Sequence, residues 1–220
     1  MSKTFIKFCG VTSIDDYFFI NNQDDVSFIG MIFTHKSPRC LTISQANKIL
    51  KSTMRNKKVV GVFMDQSHES IQNIIDNVNL DILQFHGDEN LKFCEQFNKP
   101  FIKTLHVKND SLKFGISFKN KTDYFLLDTS LHDNSGGTGK QFDWDLLSTN
   151  SLSNIIHNTP FFVAGGLNSD NIGNLISKHK PYGIDVSSGL ESEVGKKDHL
   201  LMKKFLENVR IAEKEYHEEN

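Results

Sequence analysis

The chain is 220 residues long, with 25 Lys and Arg against 27 Asp and Glu, nine His and a formal charge of −2. That balance argues against a nucleic-acid or membrane-surface partner, and no basic stripe with interleaved aromatics is present. No apolar run reaches the roughly 18–20 residues of a spanning helix, and strand-like sequence begins at Phe5, so neither a membrane anchor nor a signal peptide is expected.

In chain order, strand-like runs are expected at Phe5–Cys9, Ser27–Phe33, Lys58–Phe63, Asp81–Phe85, Pro100–Thr104, Tyr124–Asp128, Phe161–Ala164 and Gly183–Val186. Amphipathic stretches alternate with them at Ile14–Asn21, Ile43–Met54, Ser67–Asn77, Asn90–Phe97, a weaker one near Ser111–Phe118, Phe142–Leu147, Ser169–Ser177 and Lys197–Glu213. Ser13, Ser44 and Asn168 or Ser169 are the expected helix caps. Eight such units predict one α/β domain over residues 1–220, closed as a (β/α)8 TIM barrel, with a charged tail that frays over 213–220. An open doubly wound sheet is disfavoured because the first turn, Cys9-Gly10-Val11-Thr12, lacks a GxGxxG pattern. The glycine-bearing segment Thr129–Gln141 reads as a lid or binding loop.

Strand alternation selects the residues that face the barrel interior. Phe5, Lys7 and Cys9 share one face of the first strand. Cys9 reads either as an inert buried thiol or as one whose pKa is lowered by Lys7. Gln84 and His86 form an inward pair at the end of the fourth strand. Asp128 closes the sixth, where a loop cap and a catalytic acid are equally good readings. Arg39, beside Pro38, is by default a solvated charge, but at a barrel mouth it suits a bidentate contact with a carboxylate. Three widely spaced cysteines (Cys9, Cys40, Cys94) imply no disulfide framework and fit a reducing cytoplasm. No CxxC or HxxxH spacing is present, so no metal is expected.

Two glycine-rich turns follow late strands: Val163-Ala164-Gly165-Gly166-Leu167 and Asp185-Val186-Ser187-Ser188-Gly189. Small residues whose N–H groups converge after the seventh and eighth strands of a barrel make a phosphate site, which implies a phosphorylated small-molecule ligand.

Together these segments resemble the phosphoribosylanthranilate isomerase family. The resemblance rests on Lys7-Phe8-Cys9-Gly10, Lys36-Ser37-Pro38-Arg39, Gln84-Phe85-His86-Gly87-Asp88-Glu89, Leu127-Asp128-Thr129, Gly136-Gly137-Thr138-Gly139, Ala164 to Asn168, and Asp185 to Glu191 followed by Gly195-Lys196-Lys197-Asp198. His106 and the Phe33-Thr34-His35 segment depart from the family pattern. The resemblance implies an Amadori rearrangement of N-(5-phosphoribosyl)anthranilate in tryptophan biosynthesis, with no cofactor and no metal. It implies Cys9 as general base and Asp128 as general acid, the latter helped by partial burial. Phosphate is then held by Gly166, Ser187, Ser188 and Gly189 and the anthranilate carboxylate by Arg39; Lys7, Gln84, His86 and Asp185 are further substrate contacts, His86 and Asp185 orienting the sugar or shaping the pocket. A monomer or homodimer is expected. The alternatives are indole-glycerol-phosphate synthase, the histidine-pathway isomerase, which has an aspartate where Cys9 stands, and a non-catalytic phosphosugar-binding barrel.

Overall fold

The computed structural model describes residues 3–106, 112–128, 144, 156 and 159–219. Eight parallel strands form a closed barrel: β1 (Phe5–Cys9), β2 (Val26–Ile32), β3 (Lys58–Phe63), β4 (Ile82–Phe85), β5 (Phe101–His106), β6 (Tyr124–Asp128), β7 (Phe161–Val163) and β8 (Gly183–Val186). Closure is made by β8 against β1, in the register Phe5↔Gly183 and Lys7↔Asp185. The TIM barrel is therefore as expected, and four of the eight strands have the expected bounds.

Four of the helices between the strands start at a capping side chain. Ser13 Oγ accepts from the Asp16 N–H at 3.0 Å ahead of Ile14–Asn21. The helix Ile43–Leu50 is capped by Thr42, not by Ser44, through a reciprocal box with Gln45. Ser67 opens His68–Asn77 and Asn90 opens Leu91–Cys94, which tightens into one 3-10 turn, Glu95–Phe97. Leu112–Phe118 and Ile172–His179 follow. At Ile172–His179 the Asn168 side chain accepts from the N–H groups of Asp170 and Asn171, which delays the helix by a turn. The last helix, His199–Glu219, runs beyond the expected Glu213. Of the sixth expected helix only Trp144 is described, and the Thr129–Gln141 loop, with Gly136, Gly137 and Gly139, lies outside the described residues.

Alternation divides the core in two. Ile6, Phe8, Ile29, Phe63, Phe85, Phe125, Leu127 and Ile184 pack against the helices. Phe28, Val60, Ile82, Ile102, Leu126 and Phe162 fill the barrel interior, with Phe5, Tyr124 and Tyr182 beside them. This aromatic layer plugs the N-terminal mouth and leaves the polar strand ends gathered at the other.

Candidate functional site

The C-terminal ends of β1 and β8 carry the first half of the site. Lys7 is completely buried and its Nζ donates to Asp185 Oδ1 at 2.9 Å. Across the β1–β2 register Cys9 faces Gly30. A Cβ at Gly30 would lie 2.7 Å from Cys9 Sγ and 3.1 Å from Lys7 Nζ, so glycine is what leaves room for the thiol and the ammonium. Burial pulls the Lys7 pKa down, but the attraction of Asp185 and Cys9 outweighs it and the net direction is up. Burial pushes the Cys9 thiol up; Lys7 pulls it down without overcoming burial, and Asp185 adds to the rise. The expected enrichment of thiolate by Lys7 is thus corrected. Asp185 already answers the lysine's charge, and the buried thiol rests protonated at neutral pH.

The second half stands on β4, β5 and β6. His86 Nε2 lies 3.1 Å from Asp128 Oδ2. Gln84, 1% exposed, places its Nε2 at 3.1 Å from His86 Nδ1, and Thr104 Oγ1 lies at the same distance from that nitrogen. An amide N–H can only donate, so Nδ1 accepts and Nε2–H points at the buried Asp128 carboxyl. His106, paired in register with Asp128, directs its Nε2 to the His86 carbonyl oxygen at 2.8 Å. The inward parity expected for Gln84, His86 and Asp128 is what the barrel shows.

Loops after β7 and β8 border both halves. Gly165 and Gly166 adopt φ of +94° and +64°. A Cβ at Gly189 would lie 1.9 Å from the Leu167 carbonyl oxygen, so this glycine lets the two loops touch. Ser188–Leu190 is one 3-10 turn, and Ser187 precedes it. Lys197 Nζ donates to the Ser187 carbonyl at 3.1 Å and to Glu191 Oε1 at 2.8 Å. Lys197 sits on β10 (Lys196–Lys197), the second strand of a hairpin with β9 (Glu191–Glu193).

Arg39 is mostly buried rather than a solvated charge, and it pairs with a carboxylate of the chain itself. Its Nε and Nη2 donate to the two oxygens of Glu191 at 2.7 and 2.5 Å, a bidentate pair. Its chain runs over Gly10 (φ +73°), where a Cβ would lie 2.6 Å from Arg39 Cδ. Burial favours the neutral form of Glu191, but Arg39 and Lys197 outweigh it and hold the carboxyl at about 2. For Lys197 burial wins and the pKa falls despite Glu191. Glu191 and Lys197 were given no role in the sequence reading; 152 residues separate Arg39 from its partner, and local spacing carries no sign of the pairing. The other two thiols lie apart from this chemistry, and burial pushes Cys94 up to about 12. A recess of about 480 Å³ at the opposite mouth is lined by Phe5, Phe28, Lys57, Lys58, Tyr124 and Tyr182 among others. It holds none of the Cys9, Asp128 or Asp185 groups, so the chemistry belongs to the C-terminal mouth.

Comparison with known proteins agrees with this fold and shows the family. The model of the N-(5′phosphoribosyl)anthranilate (PRA) isomerase family matches residues 6–208. The N-(5′-phosphoribosyl)anthranilate isomerase of Pseudomonas fluorescens (strain Pf0-1) is 37% identical over 211 residues, covering 96% of this chain and 100% of the relative. The isomerase of Legionella pneumophila (strain Paris) is 37% identical over 214 residues, covering 94% and 98%. Among solved structures, phosphoribosylanthranilate isomerase of Thermotoga maritima, there described as monomers generated from a dimer, superposes with a TM-score of 0.80 at 28% identity, covering 94% and 98%. A phosphoribosyl anthranilate isomerase bound to reduced 1-(o-carboxyphenylamino)-1-deoxyribulose 5-phosphate superposes with a TM-score of 0.79 at 28% identity over the same shares.

Proposed function

The chain belongs to the N-(5′-phosphoribosyl)anthranilate isomerase family and is a phosphoribosylanthranilate isomerase of tryptophan biosynthesis; from that premise we propose that Cys9 and Asp128 are its proton-transfer pair. The observation that carries the assignment is their placement. Both end inward-facing strands at one mouth, with β7 and β8 between them around the barrel, and both are buried, Cys9 near Lys7 and Asp128 at 3.1 Å from His86.

Asp128 protonates the furanose ring oxygen, and the substrate nitrogen's lone pair moves in as the C1–O bond breaks, giving a protonated imine. Cys9, as thiolate, takes the C2 proton. Its electron pair forms the C1=C2 bond of an enolamine and neutralises the imine nitrogen, and tautomerisation then gives the C2 ketone. The substrate's own amine is the electron sink, so the sequence reading of no cofactor stands as part of the proposal. His86 holds Asp128, while Gln84, Lys7 and Asp185 set the walls against the sugar. Phosphate is assigned to the N–H groups of Gly166, Ser187, Ser188 and Gly189, a reading supported by the contact of the two loops and by buried Lys197 beneath Ser187. Arg39 is assigned to the anthranilate carboxylate; because Glu191 takes its Nε–Nη2 edge, the ligand meets another edge of the guanidinium. The free thiols Cys9, Cys40 and Cys94 support a reducing cytoplasmic setting. For assembly the reading is monomer or homodimer, decided by light scattering on the purified chain.

Turnover of phosphoribosylanthranilate, followed by loss of anthranilate fluorescence, tests the pair. Cys9→Ala and Asp128→Asn are each expected to lower kcat by about 10²–10⁴-fold with folding retained. A variant that keeps near-native kcat removes its residue from the mechanism. The raised Cys9 pKa adds a second expectation. In the free enzyme the base is formed only as the buried thiol ionises, so kcat/KM climbs as pH rises toward and past the ordinary thiol range. A flat profile from acid pH upward would mean that the thiolate is already present.

A further inference from the structure

Three neighbouring strand ends bring together two imidazoles and a carboxylate. His86, His106 and Asp128 each offer a ligand atom within 4.8 Å of the others, and the two rings stand 5.1 Å apart at 81°. We propose that these three residues form a binding site for a divalent transition ion of the zinc class, and that the ion blocks turnover by taking Asp128 as a ligand.

The donor set is two nitrogens and one oxygen, which suits Zn2+, Co2+ or Ni2+ and disfavours Mg2+ and Ca2+, whose shells are built from oxygen. The spacing is close to what such an ion needs. Tetrahedral ligands at zinc bond lengths lie about 3.3 Å from one another. His86 Nε2 and Asp128 Oδ2 already stand at 3.1 Å, and with all three ligand atoms within 4.8 Å of one another the remaining approach is at most about 1.5 Å.

Both imidazoles also have the outer partners that metal-bound histidines use. The His106 Nε2–H donates to the His86 carbonyl oxygen at 2.8 Å, which puts that ring's lone pair on Nδ1. For His86 to ligate through Nε2, its proton must sit on Nδ1. Thr104 Oγ1, at 3.1 Å, can accept it there. Gln84 can do so as well. Its Oε1 is buried with no hydrogen-bond partner among the described residues, while its Nε2 faces His86 Nδ1. Turning the amide over gives that oxygen a donor and prepares His86 for the ion.

The blocking half of the proposal rests on Asp128 being the general acid. A carboxylate bound to a divalent ion has no proton to give the ring oxygen. The ion also stands at the mouth of the barrel, in the way of the sugar.

The test uses the chelator-stripped 220-residue chain and Co2+ as the probe, read by its visible ligand-field absorption. Wild type is expected to bind one Co2+ with an intense tetrahedral-type band that Zn2+ displaces. His106→Ala should weaken that binding by more than about tenfold, as should His106→Gln, each first checked for folding by circular dichroism. In parallel, Zn2+ should inhibit turnover by wild type at concentrations that leave each His106 variant at its own metal-free rate. A missing band, or one equally strong in both His106 variants or carrying thiolate charge-transfer absorption, overturns the site. Binding that needs His106 while Zn2+ leaves wild-type turnover intact overturns the blocking role. Because the absorption does not depend on activity, the metal site and the catalytic assignment fail separately.

Discussion

The two mouths of this barrel are built from the same eight strands and do opposite work. At the N-terminal mouth Phe5 stacks on Tyr182 at 4.8 Å, and Phe162 meets Phe28 at 5.5 Å and Tyr124 at 5.6 Å, both edge-on. Such pairs add about 0.5–1.5 kcal/mol each beyond the area they bury. At the C-terminal mouth the inward positions carry Lys7 against Asp185 and His86 against Asp128, and the segments beyond the strands hold Glu191 between Arg39 and Lys197. Buried ion pairs of this kind roughly break even against well-packed apolar side chains, because desolvation offsets the attraction. The aromatic end therefore supplies stability, and the charged end spends little of it while fixing where charges and protons sit.

The largest effect that could break this division is expected from Phe162→Ala. Gly183 leaves the space its ring fills; a Cβ there would lie 2.4 Å from Phe162 Cε1. Removing the ring opens a cavity in the layer and should cost about 3–5 kcal/mol in urea unfolding. The folded fraction should keep its kcat within a few-fold. A fall in kcat matching the loss of stability would show that the two mouths are coupled.

The converse substitution is Gly30→Ala. The new methyl group would press on Cys9 Sγ and Lys7 Nζ, at 2.7 and 3.1 Å before any relaxation. Overpacking should cost about 1–3 kcal/mol, whereas displacing the base by a fraction of its reach should lower kcat by about 10²-fold. Steady-state kinetics beside urea melts checks the ratio. Native kcat with lowered stability would place Cys9 outside the chemistry.

What could be read without coordinates follows the same physical line. Period-2 alternation placed Phe5, Lys7 and Cys9 inward, as found, because it is a local property of a strand. Helix ends were less legible. The stretch expected to run to Met54 stops at Leu50, with Lys51 as C-cap and no Gly or Asn to mark the place. Partnerships across the barrel were not legible at all. Arg39 meets Glu191 because closure brings β8 beside β1, while His86 meets Asp128 and Gly30 makes room for Cys9 through strand order and register that no local pattern states. The same holds for His86, His106 and Asp128, where the absence of a short metal-ligand spacing said nothing about three ligands on three strands. The resting charge of Cys9 was misjudged for a related reason. Its direction depends on burial and on Asp185, 176 positions away, as well as on nearby Lys7.

The smallest effect concerns how the charged end depends on pH. Glu191 is nearly buried and its folded pKa of about 2 lies below the ordinary 4.5 because Arg39 and Lys197 outweigh its desolvation. A depressed carboxyl binds fewer protons folded than unfolded, so its contribution to stability is complete above pH 4.5 and is lost as pH falls toward 2. Glu191→Gln keeps the shape and removes the charge, leaving Arg39 and Lys197 without their shared counter-ion. Denaturant melts should show the variant less stable than wild type at pH 7, with the gap closing as pH falls through that window. A gap unchanged between pH 7 and pH 3 would mean that Glu191 acts through its packing and hydrogen bonds alone. In that case the charged mouth would hold itself together in the same way as the aromatic one, and the contrast between the two ends would lie only in their chemistry.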